Sequence, residues 1–169
     1  MKNRIHISGF TLVELLVTMS IAAVLLSVAI PSFRNLIDAN EVNNTTARLA
    51  NTFAYARSEA VARSEDINVC ASTDGLTCNA VIAASWNDRW LVTVDATGEV
   101  LRVEDVSGLN ITVAIMDNLN VVQGGIVRIC FNRLGEECIG AFLFVTFTVT
   151  GLNGQTSTKT LNRNGAVGL

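Results

Sequence analysis

The sequence has one histidine in 169 residues, His6, and it stands in the basic stretch at the N-terminus. The rest of the chain therefore cannot build a histidine-dependent catalytic triad or a histidine metal site. The GxSxG, P-loop and dinucleotide-binding fingerprints are also missing from the sequence. We therefore expect a protein that is not an enzyme and that holds neither a cofactor nor a metal ion.

Charge is missing from a long stretch near the N-terminus. Residues 10–30 are twenty-one residues with a single charge, that of Glu14. As a helix this stretch is roughly 31 Å long, about the thickness of the hydrocarbon core of a bilayer. Lys2 and Arg4 precede it, and no basic residue follows until Arg34. This bias predicts a cytoplasmic N-terminus, with the rest of the chain on the other side of the membrane.

An ordinary secretory signal peptide is the alternative for this stretch. Such a signal is cut after its apolar region at small residues, and residues 22–27 offer small residues. The apolar run is longer than a usual signal, however, and a helical pattern follows Pro31 where a cleaved signal would be followed by a loop. A retained membrane anchor is therefore the better interpretation.

The start of the apolar run resembles a known processing signal. The segment GFTLVELLV, with Gly9 before Phe10 and Glu14 four residues further on, resembles the type III signal of type IV pilins and type II secretion pseudopilins. The resemblance implies that a prepilin peptidase removes residues 1–9 by cutting between Gly9 and Phe10, and N-methylates Phe10. A carboxylate in lipid is costly without a partner. Glu14 would find one on assembly, in the α-amino group of a neighbouring subunit.

Beyond the leader, the chain is expected to form one long helix and one domain. Apolar residues recur at three- and four-residue steps after Pro31, so we predict a pilin helix over 10–64 that spans the membrane over 10–30 and bends at Pro31. From 65 to 169, short β-rich runs alternate with turn residues. The predicted strands are 67–71, 90–94, 100–103, 111–115, 126–131, 142–150 and 157–161. The fold class is α+β, with the long N-terminal helix packed on one sheet of an antiparallel β-sheet or β-sandwich domain.

Four cysteines form two similar pairs in the sequence. Cys70 and Cys78 are separated by seven residues that contain a turn, and so are Cys130 and Cys138. Four cysteines allow three connectivities, and we favour the local pairing because each bond would then close one loop. Disulfides persist in the periplasm, where the predicted topology puts these residues. A metal site is the rival, but the pairs lack the tight spacing of zinc ligands.

The middle of the chain narrows the resemblance to one branch of the family. The segment YARSEAVARSEDINVCASTDGLTC, followed by WNDRWLVTVDATGEVLRV, is similar to the GspH/FimT branch of minor pilins and pseudopilins. Arg89 stands where that branch usually has a glycine, in a strand of the Trp-x-x-Gly-Trp type. The segment ICFNRLGEE resembles the branch's Phe-x-x-x-Gly turn. The resemblance covers most of the chain, and the C-terminal tail matches least well.

That tail bears on DNA binding. FimT-type proteins that bind DNA in natural transformation carry a C-terminal Gly-Arg-x-Arg motif, and the corresponding stretch here, Gly165-Ala166-Val167-Gly168, has neither arginine. From Glu65 to the C-terminus, six Lys or Arg residues face eleven Asp or Glu residues, a net charge of −5. A DNA receptor should be basic where it meets phosphates. Lys159 and Arg163 are the candidate contacts, but DNA binding is disfavoured.

The resemblance as a whole implies a structural subunit without catalytic activity. It would be a minor pilin or pseudopilin that helps to prime or cap filament assembly, in a type IV pilus or in a type II secretion pseudopilus. Its partners would be the prepilin peptidase, other major and minor pilins or pseudopilins, and the bacterial inner membrane. It would cross that membrane once, with the domain in the periplasm, before it enters the filament.

Overall fold

The computed structural model describes residues 10–78, 86–117, 128–138, 144–162 and 166–168. The chain divides into two compact units, a first unit up to Ile37 and a second unit from Asp38 onwards. Two of the predicted site residues, Gly9 and Arg163, lie outside the described residues.

One helix, α1 (Leu12–Arg63), accounts for most of the N-terminal part of the chain. Pro31 lies inside it and does not end it. Proline has no N–H to donate to the carbonyl four residues earlier, here that of Ser27, yet the residues on both sides stay helical. The bend at Pro31 stays a prediction. After Arg63, Ser64 has a φ of 56°, which is the left-handed conformation that commonly terminates a helix.

In the first unit, the side chains from residue 10 to residue 37 are all exposed. By length and composition the helix is apolar enough to cross a membrane. Its hydroxyl groups bond to its own backbone: those of Thr18, Ser20, Ser27 and Ser32 donate to carbonyl oxygens three or four residues earlier, at 2.6–3.1 Å. Polar groups in hydrocarbon need such partners, so the surface of this segment suits a lipid environment.

In the second unit, α1 buries one face. Its buried apolar residues follow one another at steps of seven, four, three and four residues: Val42, Leu49, Phe53, Ala56 and Ala60. These steps place the five side chains on one side of a helix. That side belongs to the core of the domain.

The described residues after the helix form eight strands. They are β1 (Ile67–Ser72), β2 (Arg89–Val94), β3 (Val100–Asp105), β4 (Ile111–Asp117), β5 (Arg128–Phe131), β6 (Phe144–Gly151), β7 (Thr156–Asn162) and β8 (Val167–Gly168). The first sheet has the order β3-β2-β1-β5 and the second the order β4-β6-β7-β8. All neighbouring strands are antiparallel. The predicted α+β class with antiparallel sheets is therefore confirmed.

Each of the seven predicted strands overlaps one that the structure contains. The predicted starts at residues 126 and 142 lie outside the described residues. Strand β8 was not predicted, because a two-residue strand of Val167 and Gly168 has no alternation to detect.

The core of the domain joins the helix to both sheets. The ring of Phe53 on α1 lies 6.5 Å from the ring of Phe131 in the first sheet and 5.4 Å from the ring of Phe147 in the second. All three side chains are fully buried. Aromatic pairs at such distances stabilise a core beyond the area they bury. One face of the helix therefore packs against both sheets, and the expectation that the helix packs against one sheet is wrong.

The two disulfides join Cys70 to Cys78 and Cys130 to Cys138. The first closes the loop that follows β1, and the second closes the loop that follows β5. Since β1 pairs with β5, both closed loops extend from the first sheet.

Candidate functional site

The N-terminus of α1 is organised around Thr11 and Glu14. The hydroxyl of Thr11 accepts a hydrogen bond from the backbone N–H of Glu14 at 3.2 Å. In return, Oε2 of Glu14 accepts bonds from the backbone N–H of Thr11 at 3.3 Å and from its hydroxyl at 3.4 Å. This reciprocal arrangement is a capping box, in which N-cap and third residue satisfy each other's free donors. The predicted assembly residue therefore also starts the helix.

Thr11 is a site residue that the sequence analysis missed. The signal for it was present, because Thr-x-x-Glu before an apolar run is the sequence pattern of a capping box. Phe10, the predicted methylation site, precedes the capping box, and its side chain is 82% exposed. Gly9, on the other side of the predicted cut, lies outside the described residues.

The loop closed by Cys70 and Cys78 is ordered around Asp74. Its Oδ1 accepts bonds from the Ser72 hydroxyl and from the backbone N–H groups of Leu76 and Thr77, at 2.8–2.9 Å. The Thr77 hydroxyl donates to Oδ2 at 2.7 Å. These donors favour the ionised form, and they hold the pKa of Asp74 well below its usual range. The side chain of Asp74 thus holds the turn at Asp74-Gly75 together by four hydrogen bonds.

Arg89, which departs from the family pattern, connects this loop to the first sheet. Its Nη1 donates to the carbonyl oxygen of Thr73 at 2.7 Å, and its Nε lies 2.8 Å from Oδ2 of Asp105 on β3. A glycine at this position could make neither contact. The side chain of Arg89 thus connects the loop closed by Cys70 and Cys78 to the end of β3.

Lys159, one of the two candidate DNA contacts, lines a cleft of about 810 Å³. The cleft lies between α1 and the strands β7 and β8, and its lining includes Arg57, which the sequence analysis did not single out. Neither Arg57 nor Lys159 forms an ion pair with a described residue. The sequence could not predict the position of Arg57 in this cleft, because its neighbours and ion pairs depend on the folded structure.

Among the described cations of the strands and their loops, only Lys159 lines this cleft. Arg128 lies 3.3 Å from Asp95, so its charge is compensated locally. Arg163 lies outside the described residues. The second cation of the cleft is Arg57 on the helix.

One group of potential metal ligands comes together among the described residues. Ligand atoms of Asp66, Cys130 and Cys138 lie within 4.8 Å of one another. Metal binding by cysteine requires the thiolate, and both sulfurs are bonded to each other. In the oxidised protein this group therefore offers one carboxylate, which does not make a metal site.

These features define a class of protein: a pilin-like subunit, with one long N-terminal helix whose first part is apolar and exposed and a two-sheet antiparallel domain. Two sequence families match the chain. The prokaryotic N-terminal methylation motif matches residues 5–30, and the type II transport protein GspH matches residues 45–166. Because the second match covers more than half of the chain, the protein belongs to the GspH family, and the inferred resemblance is confirmed.

Solved structures have the same fold. The type IV minor pilin FimU of Pseudomonas aeruginosa is 22% identical, with a TM-score of 0.56 over 77% of this chain and 88% of that one. The minor pseudopilin EpsH from the type 2 secretion system of Vibrio cholerae is 11% identical, with a TM-score of 0.50 over 76% of this chain and 95% of that one. Among proteins with curated descriptions, none matches.

Proposed function

We propose that this protein is a minor pilin or pseudopilin, a structural subunit that helps to prime or cap a filament. Residues 10–30 hold it in the inner membrane, with the N-terminus in the cytoplasm and the second unit in the periplasm. The observation that carries the proposal is Glu14, the only charged residue of the exposed apolar segment 10–30. Its family and its fold also belong to filament subunits.

Glu14 supplies the assembly contact. Its Oε2 is bonded to Thr11, and a carboxylate has about four lone-pair sites on its two oxygens, so Oε1 can accept a further donor. Cleavage after Gly9 gives each subunit a cationic α-amino group at Phe10. When that amine of one subunit meets Glu14 of the next, a charge that is costly in lipid becomes paired. The gain arises only on assembly, so it favours and registers the filament.

The experiment separates the charge of Glu14 from its capping bond. Glu14→Gln keeps an acceptor for the capping box but removes the charge, whereas Thr11→Ala removes the cap and keeps the charge. We expect Glu14→Gln to leave the amount of protein in the membrane unchanged and to lower its amount in sheared filaments about tenfold, the effect of ~1.4 kcal/mol. Thr11→Ala should lower it less. Normal incorporation of Glu14→Gln would refute the pairing.

Processing is tested by mass. Protein extracted from membranes should begin at Phe10 and carry one added methyl group. Gly9→Val should keep residues 1–9, because the bulkier side chain blocks the cut. An intact leader on the unmodified chain would contradict the proposed processing, whatever the outcome for filaments.

A role in DNA uptake is the second candidate function. It is favoured by the presence of two cations, Lys159 and Arg57, in the lining of one cleft. It has less support, because the chain from Glu65 onwards has a net charge of −5, whereas affinity for DNA comes largely from Lys and Arg residues that neutralise phosphates. Gel-shift titration of the full chain in detergent against duplex DNA at low salt tests it. Salt-sensitive binding that is lost in Lys159→Ala/Arg163→Ala supports this role, and no shift excludes it.

A further inference from the structure

Helix α1 forms one side of the cleft. Its helical side includes a row of small residues at four-residue steps, Ala50, Ala54, Ser58 and Ala62, and residues so spaced lie on one face of a helix. The row is about 18 Å long, which is the length of about five residues of extended strand. The cleft is therefore large enough for a short stretch of polypeptide.

The opposite wall is an edge of the second sheet, which no other described strand covers. Three consecutive residues of the β8 region, 166–168, line the cleft. Side chains of consecutive strand residues point to opposite faces, so the cleft lies against the edge of the strand and not against one face alone. Strand β8 is the last strand of its sheet.

The hydrogen-bond register shows which backbone groups that edge offers. The N–H of Asn162 donates to the carbonyl oxygen of Ala166 at 2.9 Å. Hydrogen-bonded and non-hydrogen-bonded pairs alternate along an antiparallel ladder, so the next pair, Leu161 with Val167, is a non-hydrogen-bonded one. The N–H and C=O of Val167 therefore point away from β7. They have no hydrogen-bond partner among the described residues, so they can pair with an added strand.

The charged residues of the cleft indicate which kind of segment would bind there. In the second unit, Arg48, Arg63, Arg89, Arg102 and Arg128 each lie within 4 Å of a carboxylate oxygen. Arg57, Lys159 and Arg133 have no such partner among the described residues, and of these three Arg57 and Lys159 line the cleft. A segment that carries a carboxylate would compensate these two charges. Nucleic acid fits less well, because most of the lining is small and apolar and only two cations face it.

We propose that this cleft binds an extended, carboxylate-bearing segment of another filament subunit. The segment pairs with the backbone of Val167 and forms ion pairs with Arg57 and Lys159. This inference rests on the proposed function, since it takes the partner to be a neighbour in the filament. It assigns to the domain a docking surface that is separate from the Glu14 contact of the helix.

The most specific variant is Val167→Pro, which removes the N–H that points away from β7. The hydrogen bonds between β7 and β8 stay, because the N–H of Val167 does not take part in them. Proline is tolerated on edge strands where the N–H faces solvent. Val167→Ala is its matched control, because it shortens the side chain but keeps the N–H. The double variant Arg57→Glu/Lys159→Glu reverses both charges of the cleft. Arg133→Glu is the control for it, since Arg133 is exposed and is not part of the lining.

The measurement uses the full chain in cells that make filaments. A photo-crosslinking amino acid at Ser58, on the exposed helical wall, should crosslink to another filament subunit, and mass spectrometry should place the crosslink in a segment that contains Asp or Glu. Val167→Pro and the double charge reversal should each lower this crosslink about tenfold, and the two controls should leave it within about twofold. The same probe at Thr97, in the exposed β2–β3 turn, should give no such crosslink.

A second probe at Leu25 on the apolar helix separates the two proposals. If the unmodified chain never enters filaments and Leu25 gives no crosslink, the proposed function fails. If Leu25 crosslinks normally while Ser58 finds no subunit, or keeps its crosslink in both cleft variants, only the cleft proposal is overturned. Loss of a DNA gel shift in Arg57→Glu/Lys159→Glu, with no crosslink from Ser58, would assign the cleft to nucleic acid and overturn it as well.

Discussion

Nη2 of Arg48 lies 2.8 Å from Oε2 of Glu104 and so joins helix α1 to strand β3. The other carboxylate oxygen of Glu104 is bonded to Arg102, whose guanidinium lies 5.3 Å from the centre of the Tyr55 ring. Burial by itself would raise the pKa of Glu104, but the hydrogen bonds from the two arginines outweigh it and lower the pKa below its ordinary value. One carboxylate thus connects the helix, the edge strand and the ring.

Replacing Glu104 should destabilise the domain. Glu104→Gln should lower the free energy of unfolding by about 1–2 kcal/mol, since it removes charge-assisted bonds from a side chain that is only 13% exposed. Denaturant titration of the full chain in detergent, followed by the fluorescence of the buried Trp86 and Trp90, measures the loss. The exposed Glu65→Gln should change little. An equal loss in both variants would contradict the argument.

The same group predicts a dependence on pH. Because the folded pKa of Glu104 is lower than the unfolded one, its contribution is complete above the unfolded value, about 4.3. It is lost as the pH falls through the folded value. Unfolding titrations at a series of pH values should show this loss for the unmodified chain, and the part due to Glu104 should be missing from Glu104→Gln. Identical acid profiles would contradict it.

Asp38 and Gly151 should be coupled. The carboxylate of Asp38 accepts bonds from the backbone N–H groups of Leu152 and Asn153 at 3.0 and 3.1 Å, and a Cβ at Gly151 would overlap that carboxylate. Gly151→Ala and Asp38→Ala should each cost about 1–3 kcal/mol. In the Asp38→Ala background, Gly151→Ala should cost much less, because the clashing group is gone. Strictly additive losses in the unfolding titration would show that the two positions act independently.

Each disulfide should contribute separately. The two cysteines of each pair are eight residues apart, and the chain-entropy model gives about 2.5 kcal/mol for a loop of that size. Cys70→Ser/Cys78→Ser should lower the free energy of unfolding by about this amount, and Cys130→Ser/Cys138→Ser should do likewise. Reduction of the unmodified chain should equal the sum. A reduced chain as stable as the oxidised one would rule this contribution out.

Asp74 should stay ionised in acid. Its four hydrogen-bond donors hold its pKa well below the usual range, so the carboxyl carbon should keep the NMR shift of the charged form at pH 3. Thr77→Val removes the hydroxyl donor and should move the titration upwards, towards the value of an ordinary aspartate. If the Asp74 signal titrates near pH 4 in the unmodified chain, the turn is not arranged as described.

Local patterns in the sequence were enough to predict much of the fold. The strand over 67–71 and the helix through Pro31 follow from apolar periodicity, which depends only on neighbours in the chain. Phe53 shows the limit of this reasoning: its spacing predicts a buried position, but contact with both Phe131 and Phe147 depends on how the two sheets are arranged. Strand β8 exists because it pairs with β7, not because of its own residues.

The candidate sites divide in the same way. Glu14 was visible as a charge in an apolar run, and Thr11 could have been recognised from the Thr-x-x-Glu spacing. Arg57 could not, because one arginine on a mixed helical surface looks like any other until its neighbours are known. Lys159 was singled out as a candidate DNA contact, and its cleft became visible only when β7 and β8 were placed beside the helix.

The short span of each disulfide also bears on how the protein matures. Residues that are close in sequence meet more readily than distant ones, so each of these bonds can form within its own short segment. A wrong bond between the two pairs would have to join cysteines at least 52 residues apart, the distance from Cys78 to Cys130. The two native disulfides can therefore form before the sheets do. The short spacing within each pair favours these bonds over non-native disulfides between the pairs.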